Sequence, residues 1–214
     1  MPHKVIGVFD RVAPEHDQVL PFFAAMAEQA VSALPVRAGM RVLDLGAGTG
    51  AVAALLAAGA RVTAVDAAPA MVARLRQDYP AADATVMDAC ELRFPDGAFD
   101  VVAAAFVMHL LDDPGAAAAE VRRVPALLGD AGFTDIGVSP LTVDLPMPGG
   151  GEMLWQWHLS HGTAAFIDDL PPDRRAEFRR RLIAETDAGG TRNLRLTASL
   201  WTGTLQDDRA DVAP

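Results

Sequence analysis

The stretch RVLDLGAGTG, residues 41–50, constrains this chain more than any other. An apolar, β-favouring run leads into Asp44, and glycine then stands at 46, 48 and 50. Glycines so placed remove Cβ where backbone must approach a ligand or take a positive φ. A helix expected over AVAALLAAGA (51–60) would aim its free N–H groups at an anion. Strand and helix then alternate. The spacing predicts strands at RVTAVD (61–66), ADATVMDA (82–89) and FDVVAAAFV (99–107), with helices at APAMVARLRQDY (68–79) and DDPGAAAAEVRRV (112–124). Four such alternations imply right-handed βαβ units and a doubly wound parallel sheet, with ligands at the carboxyl ends of the strands. The unbroken apolar run at 99–107 reads as a strand covered on both faces.

The rest of the chain has a different character. Residues 17–34 read as an amphipathic helix with Pro21 in its first turns, and 133–146 as extended structure. Residues 151–162 and 170–190 read as helices, the second ended by glycines. Residues 192–205 read as a long strand, and DDRADVAP as a frayed tail. No internal repeat is visible.

Net charge is −10, and the seventeen arginines and single Lys4 are mostly dispersed. That argues against nucleic acid as a partner. The cluster RRAEFRRR (174–181) reads as the solvated face of a helix. One cysteine, Cys90, excludes a disulfide framework. No signal peptide and no membrane-spanning apolar run are expected, so the reading is a cytoplasmic protein with no membrane partner.

Glycine loops of this type serve several ligands. Gly46, Gly48 and Ala51 satisfy a loose dinucleotide pattern, and Asp66 lies 20 residues after Gly46, which keeps a nicotinamide-dependent oxidoreductase in view. Two acids tilt the choice. Asp44 sits two residues before the first glycine, where it would repel a pyrophosphate but suit an amino group or a sulfonium. Asp88 ends the third predicted strand, so three neighbouring strands finish in Asp44, Asp66 and Asp88.

With these residues in view, VLDLGAGTG, VTAVDAAPAM, MDACELRFPDGAFDVV and FVMHLLDDP resemble successive motifs of class I S-adenosylmethionine-dependent methyltransferases, nearest the small-molecule branch. The likeness is strong over about residues 37–124 and weak at GFTDIGV (132–138). It implies a Rossmann-like sheet in one domain. Residues 1–36 would form an N-terminal helical lid, 37–146 and 191–206 the core, 147–190 a helical cap inserted before the last strand, and 207–214 a tail. It implies S-adenosyl-L-methionine as cofactor, S-adenosyl-L-homocysteine as product and a small-molecule acceptor, with a homodimer left open.

Residue by residue, the resemblance lays the backbone of Gly46, Ala47 and Gly48 against the methionine part of the cofactor, with Asp44 ordering that loop. Asp66 would accept the ribose hydroxyls. Ala67 and Met71 would flank the adenine, and Asp88 with Ala89 would read its edge. Ala105, Phe106 and Val107 would line the methyl-transfer side. Each acid also has a bland alternative, as a helix cap or turn residue, and Met71 as ordinary core.

Methyl transfer needs alignment and exclusion of water, with a general base when the acceptor is a hydroxyl. His109 follows the fourth strand and is a candidate base or a structural hydrogen-bonding residue. Leu154, Trp157, His158 and His161 fall at i, i+3, i+4 and i+7, so His158 and His161 would join a stripe that roofs an acceptor pocket or simply packs on the sheet. No metal is expected. Methyl transfer at oxygen or nitrogen is the leading reading, followed by a non-methylating, cyclase-like or structural use of the same cofactor. A binding or assembly protein without catalysis also fits.

The join at Val124–Pro125 stands out. In the resembling family a fifth parallel strand follows the helix ending EVRRV, whereas here PALLGDAGFTDIGV follows at once. Either residues are missing from this sequence, or the strand is deleted and its slot filled by another strand or chain, or 133–146 slides in as a replacement.

Overall fold

A computed structural model describes residues 3–34, 36–50, 56, 58–123 and 133–205. The expected helix at 51–60, the Val124–Pro125 join and the tail lie largely or wholly outside the described residues.

Four parallel strands form the central sheet: β1 (Arg41–Leu45), β2 (Arg61–Asp66), β3 (Asp83–Val86) and β4 (Val101–Ala103), in the order β3-β2-β1-β4. Val42 pairs with Val62 on one side and Val101 on the other. β1 is the most buried strand, with Val42, Leu43 and Leu45 fully covered, as expected of a central parallel strand. Helix α3 (Pro69–Asp78) crosses from β2 to β3 with Pro69 in its first turn, where a missing N–H costs nothing. Helix α4 (Pro114–Arg123) follows β4.

β4 differs from expectation. The apolar run at 99–107 yields three paired residues, all only half-buried. Among the described residues no strand pairs on its outer side. The chain leaves the sheet after Ala103, and Phe106 takes a left-handed φ of 56°. Among the described residues, the run that reads as doubly covered is thus a short strand at the end of the sheet, because hydropathy reports burial and not which neighbour supplies it.

Two helices precede the sheet, α1 (His3–Val12) and α2 (Phe22–Ala33). Pro21 is the N-cap of α2 rather than part of its first turns. Asp17 reaches over to accept bonds from the amides of Phe23 (2.9 Å) and Ala24 (2.8 Å), satisfying donors that the helix start leaves free.

The later half forms a separate layer. β5 (Phe133–Pro146) and β6 (Asn193–Leu205) pair antiparallel with each other, not with the parallel sheet. The replacement account for the missing strand is therefore corrected: 133–146 does not occupy a slot beside β4. The hairpin packs Val143 and Leu145 against Leu20, Met26, Met147 and Trp157. Between its strands run α5 (Gly150–Leu159), α6 (Ala164–Asp169) and α7 (Pro172–Ala188). A Cβ on Gly151 would lie 2.5 Å from the Ile183 backbone, so glycine permits the close approach of α5 and α7. The arginines of α7 engage acids on its own face and beyond, including Arg179 with Glu152 at 2.8 Å. No helix among the described residues is long and apolar enough to cross a membrane.

Candidate active site

The tips of β1 and β2 and the loop after β1 open on a cavity of about 510 Å³. Gly46, Gly48 and Gly50 all take positive φ, at 70°, 54° and 102°. At Gly46 the constraint is double, since a Cβ there would lie 2.4 Å from a methyl of Val107. The amides of Gly46 and Ala47 both donate to the Val65 carbonyl, at 2.9 and 3.0 Å, which locks the loop across the tip of β2.

Asp66 ties the same loop from below. One carboxylate oxygen accepts the Gly48 amide (2.9 Å) and the other the Ala68 amide (2.8 Å). Burial pushes its carboxyl above the usual range, and the two amide bonds oppose that. Each oxygen keeps a further acceptor site, so this tie leaves room for ligand hydroxyls. Asp44 is 2% exposed and faces the same cavity.

The opposite wall is aromatic. Phe22 and Phe23 from the start of α2 meet Phe106 with ring centres 5.2 and 5.5 Å away. Edge and tilted contacts of this kind are favourable for aromatic rings. They hold Phe106 in a backbone conformation that costs an L-residue on the order of 1 kcal/mol or more. Phe9 of α1 and Phe166 of α6 complete the wall. Phe166 is 62% exposed, a large apolar ring at the cavity mouth.

Two buried histidines flank this wall. His16 stacks on Phe23 (4.9 Å, 12°) and shares a hydrogen bond with the Thr49 hydroxyl at 3.2 Å. Burial first, then the proximity of His161 and Arg74, lowers its pKa to about 4. His161 is 8% exposed and lies 4.4 Å from the Trp157 ring. Burial also lowers its pKa to about 4, against the opposing effect of a bond to the Trp157 carbonyl.

The structure sorts the expected site residues. Asp44, Gly46, Ala47, Gly48, Asp66, Ala105, Phe106, Val107, His109 and His161 line the main cavity. Ala67, Asp88 and Ala89 share a neighbouring crevice with Gly46 and Asp66, and it holds only about 10 Å³. Asp88 accepts the Cys90 amide at 2.8 Å, a turn interaction that holds its carboxyl below the usual range. Met71 is fully buried among Val8, Val12, Ala68 and Ala164, against α1, and lines neither cavity.

The stripe on α5 also divides. The helix ends at Leu159, so His161 lies in the turn beyond it and reaches the cavity. Trp157 packs into the hairpin cluster, and His158 turns to Thr163, its Nδ1 3.3 Å from the hydroxyl. His158 does not line the cavity. Thr163 is an addition that motif reading does not single out, since only the turn after α5 brings its hydroxyl to His158 and His161; His16, expected only within the N-terminal lid, bonds to Thr49 of the glycine loop.

Residues 43–127 match the family model described as a methyltransferase domain. The chain is 36% identical over 129 residues to a demethylmenaquinone methyltransferase of Beutenbergia cavernae, covering 58% of this chain and 54% of that protein. It is 38% identical over 131 residues to a demethylmenaquinone methyltransferase of Thermus thermophilus, covering 56% and 60%. Residues 43–127 are thus similar to a methyltransferase domain. The chain spans between about half and three fifths of the length of those relatives. The YcgJ protein of Bacillus subtilis shares the fold, with a TM-score of 0.55, 17% identity, and coverage of 86% of this chain and 98% of that one.

Methyltransferases of this family use S-adenosylmethionine, and the residues of the domain can be tested against it. The glycine loop provides a cradle that a side chain at Gly46 would fill. Asp44 and Asp66 supply anionic oxygen to a ligand that carries a sulfonium, an ammonium and a ribose diol. The donor set fits that group at the methionine and ribose end. The Asp88–Ala89 crevice, where the resemblance would put the adenine, is close to the size of one water and would have to widen to admit a base.

Proposed function

We propose that this protein transfers a methyl group from S-adenosylmethionine to a small-molecule acceptor, at oxygen or nitrogen, in a biosynthetic reaction. The observation that carries the reading is a juxtaposition. The glycine loop with Asp44 and Asp66, and the aromatic wall of Phe22, Phe23 and Phe106, open on the same cavity. Its volume of about 510 Å³ lies in the range of small-molecule sites.

The division of labour follows from the chemistry of the two walls. The bound cofactor supplies an electrophilic methyl group. The glycine loop and Asp66 hold the donor by backbone and carboxylate contacts. The aromatic wall excludes water and orients an apolar acceptor, which is where most of the rate gain in such a displacement arises. Relatives named as demethylmenaquinone methyltransferases support a small-molecule acceptor.

The test is transfer of label from methyl-labelled cofactor to a panel of hydroxylated and aminated aromatic compounds, resolved by mass spectrometry. Label in a product is the expected result. Saturable cofactor binding without transfer to any acceptor would favour a non-methylating role, and NADH binding in place of S-adenosylmethionine would overturn the reading.

A further inference from the structure

The proton inventory around His161 is unusually determinate. Its Nδ1 lies within hydrogen-bond distance of the Trp157 carbonyl. A carbonyl only accepts, so Nδ1 carries the proton and donates it. The neutral ring then has a bare Nε2 with an in-plane lone pair. The Thr163 hydroxyl oxygen lies 3.4 Å from Nε2. Thr163 has one hydroxyl proton, and it is directed to the His158 carbonyl at 2.7 Å. No proton therefore lies between Nε2 and Thr163, and Nε2 is an acceptor waiting for a donor.

A cationic ring would remove the conflict by placing a second proton on Nε2. Burial opposes that charge, and the rings of His158, 6.0 Å away, and Phe23, 6.2 Å away, supply no anion. His158, whose charge would act on this ring, is itself held toward the neutral form by burial. The donor that Nε2 lacks must come from what enters the cavity, because His161 and Thr163 both line it. The neighbouring walls state what shape that is. Phe22, Phe23, Phe106 and Phe166 offer ring faces and edges to a flat apolar body.

We propose that His161 is the general base for a planar aromatic acceptor bearing a hydroxyl group, an inference that rests on the methyl-transfer reading and narrows it to oxygen. The hydroxyl proton passes to Nε2 as the acceptor oxygen bonds to the methyl carbon. The methyl–sulfur bond breaks with its electron pair left on sulfur, so the sulfonium becomes a neutral thioether and the acceptor an aryl methyl ether. The imidazolium, steadied by its Nδ1–H bond to Trp157, then releases its proton to water.

Nitrogen-15 NMR of histidine-labelled protein saturated with S-adenosylhomocysteine tests this without turnover. His161 is assigned as the signal lost in His161→Gln or, should that variant not fold, by through-space contacts to the Trp157 ring. The expected spectrum at neutral pH shows a protonated Nδ1 and a bare Nε2. Added α-naphthol shifts Nε2 as it accepts a hydrogen bond, whereas the methyl ether of α-naphthol, with the same ring and no O–H, leaves it in place. A proton on Nε2, equal responses to the two probes, or no response to α-naphthol overturns the proposal. If S-adenosylhomocysteine itself fails to bind, the parent reading falls, and the protonation state of Nε2 still decides whether His161 can act as a base.

Discussion

The two ends of the cavity are built by different means. The cofactor end consists of backbone and carboxylates at the tips of β1 and β2, fixed by glycines whose φ values no other residue adopts readily. The proposed acceptor end consists of rings from α1, α2, α6 and the 104–107 turn, of which Phe22, Phe23 and Phe106 touch one another. The first end is positioned by strand pairing and tolerates little. The second is positioned by side-chain packing between segments far apart in sequence, and it can change shape residue by residue.

Acid should separate the two ends most strongly. His16 and His161 have folded pKa values of about 4 against 6.5 for the free side chain. Between those values the unfolded chain binds more protons, so stability falls as pH drops from about 6.5 to 4. The loss is on the order of 3 kcal/mol for each histidine. Asp66 works in the opposite sense, because its raised pKa lets the folded state take up a proton before the unfolded one. Urea titrations across this pH range should show the wild type losing stability and the double variant His16→Gln/His161→Gln losing much less. A double variant as acid-sensitive as the wild type would break the comparison.

Substituting glycine at each end sharpens it further. Gly46→Ala forces Cβ into Val107 and an L-residue into φ 70°, so it should cost about 3 kcal/mol in urea titration. Gly162→Ala, at the acceptor end, meets only the Phe9 ring edge at 3.4 Å and should change stability by no more than about 0.5 kcal/mol. Equal costs would contradict the claim that one end is rigid and the other adaptable.

The aromatic wall predicts a smaller effect than Gly46→Ala. Phe22→Leu keeps apolar volume but removes ring contacts with Phe106, Phe23 and Trp157. A loss of about 1 kcal/mol is expected. Acceptor KM should rise while the dissociation constant for S-adenosylhomocysteine stays within about twofold, a change too small to register as a lost contact. A shift confined to cofactor binding would reverse the assignment of the two walls.

The same contrast explains what the sequence reveals. The sheet, its glycine loop and the acids at 44 and 66 are legible because strand alternation and glycine spacing are local signals that topology turns directly into position. A buried methionine after β2 looks alike in sequence whether it faces a cleft or, as Met71 does, packs against α1. The run at 99–107 misleads because edge and central strands share a composition. His16 is legible as part of the N-terminal lid, but its bond to Thr49 is not, since it spans two segments that only the fold brings together. Of the two histidines on the α5 stripe, the end of the helix at Leu159 decides that His161 enters the cavity and His158 does not.

The central claim is that Asp66 and the glycine loop hold a sulfur nucleoside. Calorimetric titration with S-adenosylhomocysteine, for wild type and Asp66→Asn, measures it directly. The account predicts saturable binding of one ligand per chain, weakened in the variant by about 1.5–3 kcal/mol, roughly 10- to 150-fold. No binding to the wild type, or equal affinity for both proteins, would contradict it.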